Sequence, residues 1–235
     1  NSMKILHLIT GLEVGGAEMM LLNLVKQPSF ARETSRVISL TNAGVIGSRI
    51  RALGIEVTAL GMKTGSLGIN GLFRLIRLLR DDPHDMIQSW MYHADLLGSL
   101  ATLFSGNIPI VWGIHHTLDG DVPVKKRTLR ILHLNALLSR WIPRRVVCCA
   151  EAARMAHLRV GYLPRKLNVI NNGVDTNEFF PHLDAPTLVR EELGLDIHTP
   201  LIGQFARFHP QKDHQTFMNA AEILHKVMPG VHFIL

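Results

Sequence analysis

Residues 4–18 read Lys4-Ile5-Leu6-His7-Leu8-Ile9-Thr10-Gly11-Leu12-Glu13-Val14-Gly15-Gly16-Ala17-Glu18: a short apolar run, a glycine-rich loop and the opening of a helical pattern that continues to Val25. An apolar run this short, bounded by a turn, reads as a buried strand rather than a helix. The same unit recurs along the chain. Strand-like runs fall at Lys4–Ile9, Arg36–Leu40, Glu56–Leu60, Met86–Ser89, Ile108–Trp112, Val146–Cys149 and Leu167–Ile170. Between them lie helical patterns at Ala17–Val25, Leu72–Arg80, Ala94–Phe104, Lys125–Leu138 and Ala152–Val160. Strands alternating with helices predict a doubly wound, parallel α/β sheet, in which ligands bind at the carboxyl ends of the strands.

The pattern breaks at Pro181–Thr187, a polar, proline-containing stretch that reads as a linker. Residues 1–182 are therefore expected to form a first Rossmann-like domain and 183–235 the beginning of a second, because about 50 residues fall short of a domain of ~100 to 150. A helix over Leu188–Leu193, a strand over Leu201–Phe205, a helix over His214–Val227 and a strand from Val231 are expected there.

With 235 residues, 47% hydrophobic and 19% charged, the chain can bury a substantial core and is not disordered. Met3–Thr10 holds too short an apolar run for a signal peptide, and nothing approaches the ~18 apolar residues of a membrane span. A cytoplasmic protein is expected. The two cysteines, Cys148 and Cys149, are adjacent in a strand-like run and read as core residues of a reducing compartment. A net charge of +6 suits an anionic partner. Nucleic acid is disfavoured, because aromatic content is 6% and no recognition module is visible.

Three stretches carry chemistry. In the first loop, Gly15-Gly16 brings backbone N–H groups to a helix N-terminus, where negative charge is favoured. The spacing is not that of the dinucleotide fingerprint, so a nicotinamide or flavin cofactor is not expected. Val169-Ile170-Asn171-Asn172-Gly173-Val174-Asp175, followed by Phe179 and Pro181, holds an Asn-Gly turn placed just before the linker, at the expected interdomain cleft. Gly203-Gln204-Phe205-Ala206-Arg207-Phe208-His209-Pro210-Gln211-Lys212-Asp213 runs from a strand into a loop with two cations, ahead of a helix that Asp213 would cap. Arginine and lysine beside a helix N-terminus suit a diphosphate.

In this order the three stretches resemble glycosyltransferase family 4, retaining enzymes of the two-domain GT-B fold. The resemblance rests on Gly15-Gly16-Ala17-Glu18, on Asn172-Gly173-Val174-Asp175 with Phe179 and Pro181, and on Gly203 with Arg207 and Lys212. Ala206 departs from the glycine common in the family. The paired glutamates that hold donor sugar and ribose would lie beyond Leu235, so this chain by itself is expected to bind donor weakly and to be inactive.

The resemblance implies that Arg207 and Lys212 grip the donor diphosphate and stabilise the departing nucleotide, with Gly15 and Gly16 approaching phosphate or acceptor. Glu18, His93, Asn172 and Asp175 are cleft or acceptor candidates. It also implies that a histidine after the fifth strand faces the reacting sugar. His115 and His116 both qualify, and the sequence leaves the choice open. No metal and no cofactor are expected, and no zinc-like spacing appears among the 13 histidines. The implied partners are a nucleotide sugar and a glycan or lipid-linked acceptor, as in bacterial surface-polysaccharide synthesis. An anionic membrane surface would meet Arg74, Arg77 and Arg80 on one helix and Lys125, Lys126 and Arg127 on another, with Arg130, Arg140, Arg144 and Arg145 extending the second cluster. Two other readings stand beside this one: a GT-B sugar-nucleotide epimerase, and a non-catalytic glycan- or membrane-binding module.

Overall fold

The computed structural model describes residues 3–27, 35–63, 68–118 and 125–235. They fall into two units, which part between Gly173 and Val174, ahead of the boundary expected at residue 182. The first unit is built on seven parallel strands: β1 (Ile5–Ile9), β2 (Ser35–Ser39), β3 (Glu56–Ala59), β4 (Met86–Trp90), β5 (Ile110–Ile114), β6 (Arg145–Cys148) and β7 (Leu167–Val169). Their spatial order is β3-β2-β1-β4-β5-β6-β7. Helices α1 (Gly16–Lys26), α2 (Gly44–Ala52), α3 (Ile69–Asp81), α4 (Tyr92–Leu103), α5 (Lys126–Leu138) and α6 (Glu151–Val160) make the crossovers.

The chain winds outward from β1 to β3, returns through α3, and winds the other way from β4. Strand order therefore reverses between β1 and β4, and the crevice at that reversal is where a doubly wound sheet binds ligands. Side-chain parity along each strand divides the core in two. Leu6, Leu8, Ile87, Trp112, Ile114 and Val146 pack with α3 to α6 on one face. Ile9, Val37, Val57 and Trp90 pack with Leu21, Leu22, Ile46 and Ile50 of α1 and α2 on the other. Both faces are covered, which is why the strands read as nearly continuous apolar runs.

Trp112 is the largest side chain buried outright, and it anchors the α4 face. Its indole Nε1–H donates to Ser99 Oγ at 3.0 Å, and Tyr162 meets it edge-on at 6.3 Å between centroids. Asp95, also fully buried, accepts a hydrogen bond from Ser89 Oγ at 2.7 Å, and burial pushes its carboxyl well above the usual range.

The structure departs from the sequence-based expectations in three places. Helix α2 went unread because Gly44-Val45-Ile46-Gly47-Ser48 carries two glycines in its first turns. Strand β5 begins at Ile110 and runs to Ile114, two residues later than expected. Pro109 lacks the N–H that a strand between two neighbours must donate. In the second unit a helix, α7 (Ala185–Glu192), starts inside the stretch read as linker, with Pro186 in its first turn, where a missing N–H costs nothing. The rest of that unit pairs β8 (Leu201–Gly203) in parallel with β9 (His232–Ile234) across α8 (His214–Val227). Phe217 of α8 meets Phe233 edge-on at 6.3 Å.

Replacing Trp112 by alanine removes the central contact of the α4 face and should cost about 3–5 kcal/mol. The measurable result is a lower urea midpoint by far-UV circular dichroism; an unchanged midpoint would contradict this packing.

Candidate functional site

At the reversal point the loops after β1, β4 and β5 share the carboxyl edge. Register aligns Ile9, Trp90 and Gly113 across the three strands. The Met91 amide, just past β4, donates to the Gly113 carbonyl at 2.9 Å and ties the two strand ends together. Met91 itself has φ 73° and ψ 161°, a region that belongs almost solely to glycine. This strained residue turns the chain from Trp90 directly into α4, whose first turn carries His93. Burial lowers the pKa of His93, and its Nε2 has no hydrogen-bond partner among the described residues.

The two candidate histidines after β5 point to opposite sides of the sheet. His115 follows the parity of Gly113 and folds onto the α1 face, where its ring stacks on Trp90 at 4.8 Å and 17°. The approach needs Gly113: a Cβ there would stand 2.9 Å from the Ser89 carbonyl oxygen and 3.6 Å from His115 Nε2. The Asn172 side chain bonds His115 and opposes the lowering of its pKa by burial. His116 lies on the α4 side, near enough to His157 to lower the latter's pKa. There Tyr92 and His157 are locked together. The His157 Nδ1–H donates to the Ala153 carbonyl at 2.7 Å, which leaves Nε2 to accept from the Tyr92 hydroxyl at 2.9 Å. The first unit thus joins His115 with Asn172, and the glycine loop covers the same face. His116 belongs to the opposite face.

Two participants were not singled out in the sequence. Trp90 is 2% exposed and donates its indole Nε1–H to Nδ1 of His7 at 3.4 Å. His7 lies wholly inside, and burial takes its pKa from 6.5 to about 4. Strand parity could have found both, since His7 and Trp90 share the face of Ile9.

Gly15 caps α1 with extended backbone, and Gly16 is exposed with open space around it. The Glu18 carboxylate folds back over Gly15, where any side chain would collide with it. A carboxylate at that position meets the positive end of the helix dipole.

In the second unit Asp175 accepts the Asn177 amide at 3.0 Å on Oδ1, a local turn. Arg207 and Lys212 are both exposed on the loop between β8 and α8. His214 Nε2 bonds the Arg207 carbonyl at 3.2 Å, and Gln204 Nε2 donates to the Lys212 carbonyl at 2.6 Å. Phe208 stacks on His214 at 5.2 Å. Asp213 caps α8 as expected, accepting the Thr216 amide at 3.2 Å. The loop is therefore folded against the helix start with both cationic side chains left outward.

The basic stretches are partly engaged. On α3, Arg74 donates to the Leu60 carbonyl at 3.3 Å, Arg77 pairs with Asp81 at 3.5 Å, and Arg80 donates to the Phe104 carbonyl at 2.9 Å. Lys125, Lys126 and Arg127 stand at the N-terminus of α5, where the dipole disfavours cations. Among the described residues no group of three metal-ligating side chains gathers, and no helix is long and apolar enough to cross a membrane.

The sequence pattern of Glycosyltransferase Family 4 matches residues 14–178. The chain belongs to glycosyltransferase family 4. One relative in the family comparison is the Escherichia coli UDP-Gal:alpha-D-GlcNAc-diphosphoundecaprenol alpha-1,3-galactosyltransferase, 23% identical over 170 residues, or 71% of this chain and 44% of that enzyme. Among solved structures, Anabaena HepE in complex with UDP-glucose superposes with a TM-score of 0.79 at 22% identity, over 99% of this chain and 60% of HepE. A UDP-GlcNAc 2-epimerase from Neisseria meningitidis, bound to UDP-GlcNAc, is less similar, with a TM-score of 0.57 and 16% identity over 99% of this chain and 65% of the epimerase. The chain thus spans about half the length of the relatives it matches, and its fold is that of the GT-B glycosyltransferases.

The buried histidine gives the site a pH signature. With its folded pKa near 4 against 6.5 when exposed, His7 binds fewer protons folded than unfolded across that interval. Stability should then be complete above pH 6.5, fall by about 3 kcal/mol as the pH drops to 4, and level off below. Urea midpoints measured across this range should show a shallower slope for His7→Asn, whose side-chain oxygen can still accept from Trp90. Identical slopes would contradict the buried, neutral His7.

Proposed function

We propose that this chain is the acceptor-side domain and the start of the donor-side domain of a retaining glycosyltransferase, which moves a sugar from a nucleotide diphosphate to a hydroxyl of a glycan or lipid-linked acceptor. The observation that carries the reading is the assembly of His115, Trp90 and Asn172 at the strand-order reversal of a family 4 sheet. HepE, crystallised with UDP-glucose, supports a nucleotide-sugar donor. The E. coli relative, named for a diphosphoundecaprenol acceptor, supports a lipid-linked one; bacterial surface-polysaccharide synthesis is part of the same proposal.

Sugar transfer passes through an oxocarbenium-like state while negative charge builds on the leaving diphosphate. In this reading Arg207 binds that diphosphate bidentately and Lys212 adds a point charge, so positive charge comes from side chains and a helix dipole, with no metal and no cofactor required. His115 takes the sugar side, through the face it shares with Gly15 and Gly16. Its neutral imidazole suits hydrogen bonding to a hydroxyl next to the anomeric carbon. His93 and Asp175 are assigned to acceptor and cleft.

A lipid-linked acceptor would bring the protein to an anionic membrane from the cytoplasmic side. The outward faces of α3 and α5 fit that surface: Phe73 is 66% exposed beside Arg77 and Arg80, and Trp141 is 68% exposed beyond Leu134 and Leu137. Lys125, Lys126 and Arg127, held against the dipole of α5, add positive charge where a phosphate-bearing acceptor would arrive.

In the full-length protein, Arg207→Ala should lower nucleotide release from the sugar donor by about 10²-fold or more, as loss of a principal leaving-group contact does. The first unit should melt as in the wild type. Unchanged release would remove Arg207 from the diphosphate site, and an epimerised nucleotide sugar as product would replace transfer with epimerisation.

A further inference from the structure

The Trp90–His115 stack does more than fill the core. We propose that Trp90, locked in place by His7 and by the strained peptide after it, is the positioning residue that holds the His115 imidazole at one orientation toward the donor sugar. The inference rests on the reading of His115 given above.

Several restraints converge on the indole. Its Nε1–H is held by His7 Nδ1 at 3.4 Å, which prevents rotation within the plane of the ring. Its backbone is fixed by register to Ile9 and Gly113 and by the Met91 amide bond to the Gly113 carbonyl. The glycine-like φ of 73° at Met91 is kept in a residue that does not favour it, and it is what lets α4 start at Tyr92 while Trp90 stays in the strand. One face of the indole belongs to the apolar core with α1; the other is covered by the His115 ring at an interplanar angle of 17°.

A buried indole takes a hydrogen-bond partner in any case, as Trp112 does with Ser99; what sets Trp90 apart is the partly exposed imidazole stacked above it. Stacking fixes the plane of His115, and Asn172 bonds its edge. Nδ1 of His115 has no partner among the described residues. The ring is thus held on its face and on one edge, and its buried Nδ1 keeps an unmet hydrogen-bonding capacity. Such restraint matters because a misplaced reacting group costs rate more than binding.

The test uses the full-length protein and the donor it turns over from a panel of UDP-, GDP-, ADP- and dTDP-sugars. Trp90→Leu, which keeps an apolar side chain but removes the flat face, should lower kcat by about 10- to 100-fold with KM for the donor little changed. Trp90→Phe, which keeps a ring to stack on, should recover most of the loss. In a His115→Ala background, Trp90→Leu should change kcat by less than about twofold, since nothing remains to be positioned. Histidine-labelled NMR spectra should show the His115 ε1 proton, shifted upfield by the indole, moving downfield in Trp90→Leu while the His157 resonance stays in place.

Additive losses in the double variant, or full activity of Trp90→Leu beside an inactive His115→Ala, would overturn the positioning role and leave the His115 assignment standing. Full activity of His115→Ala, or no donor turned over at all, would overturn the underlying reading and this one with it.

Discussion

The hydrogen bond from the Met91 amide to the Gly113 carbonyl joins the ends of β4 and β5, next to the reversal of strand order between β1 and β4. It is short-range and unremarkable in energy, yet the site depends on it. It brings the Trp90 ring beneath the residue two positions after Gly113, and it is made by a residue whose backbone sits where side chains are disfavoured. A peptide under such strain persists only when the surrounding structure over-determines it, and such peptides cluster at functional sites. Here register, the α4 start and the core on both faces supply that determination. The carboxyl edge continues the theme: the Cys149 amide bonds the Ile114 carbonyl and the Ile170 amide bonds the Cys148 carbonyl, so consecutive loops are pinned to neighbouring strand ends.

From that edge the two faces of the sheet take different work. The α1 face holds the glycine loop, His7, Trp90, His115 and, at its rim, Asn172. The α4 face holds a polar set in which the Tyr92 hydroxyl bonds His157 Nε2 at 2.9 Å and Asn135 Nδ2 donates to the Tyr92 carbonyl at 2.9 Å. His116 falls on the second side, beside groups already engaged. Adjacent histidines on one strand end are therefore not equivalent. One-residue alternation puts the two rings on opposite faces of the sheet.

How much of this the sequence disclosed follows the same physics. Alternating apolar runs sufficed for the doubly wound sheet, because strands buried on both faces are legible without periodicity. Helix α2 was not legible, since Gly44 and Gly47 erase its propensity and only packing of Ile46 and Ile50 against β2 and β3 sustains it. The choice between His115 and His116 is open in the sequence because one chain does not say which face of β5 a sugar would meet. With β5 ending at Ile114, parity alone assigns His115 to the face of Trp90. For Trp90 and His7, parity gives the face of the sheet, but each looks like an ordinary member of an apolar strand, and the stack and the indole bond come only with the structure. The glycine loop was legible as a helix N-terminus, but not that Glu18 already lies over it, because a side chain's reach back to its own cap depends on rotamer rather than spacing.

The central claim is that His115 on the α1 face, and not its neighbour, meets the donor sugar. A structure of the full-length protein with an intact nucleotide sugar bound tests it directly. The account predicts an imidazole nitrogen of His115 within hydrogen-bonding distance, about 3 Å, of a hydroxyl adjacent to the anomeric carbon, with the ring still stacked on Trp90. A sugar held by His116 instead, or bound with the His115 ring turned away from it, would contradict it.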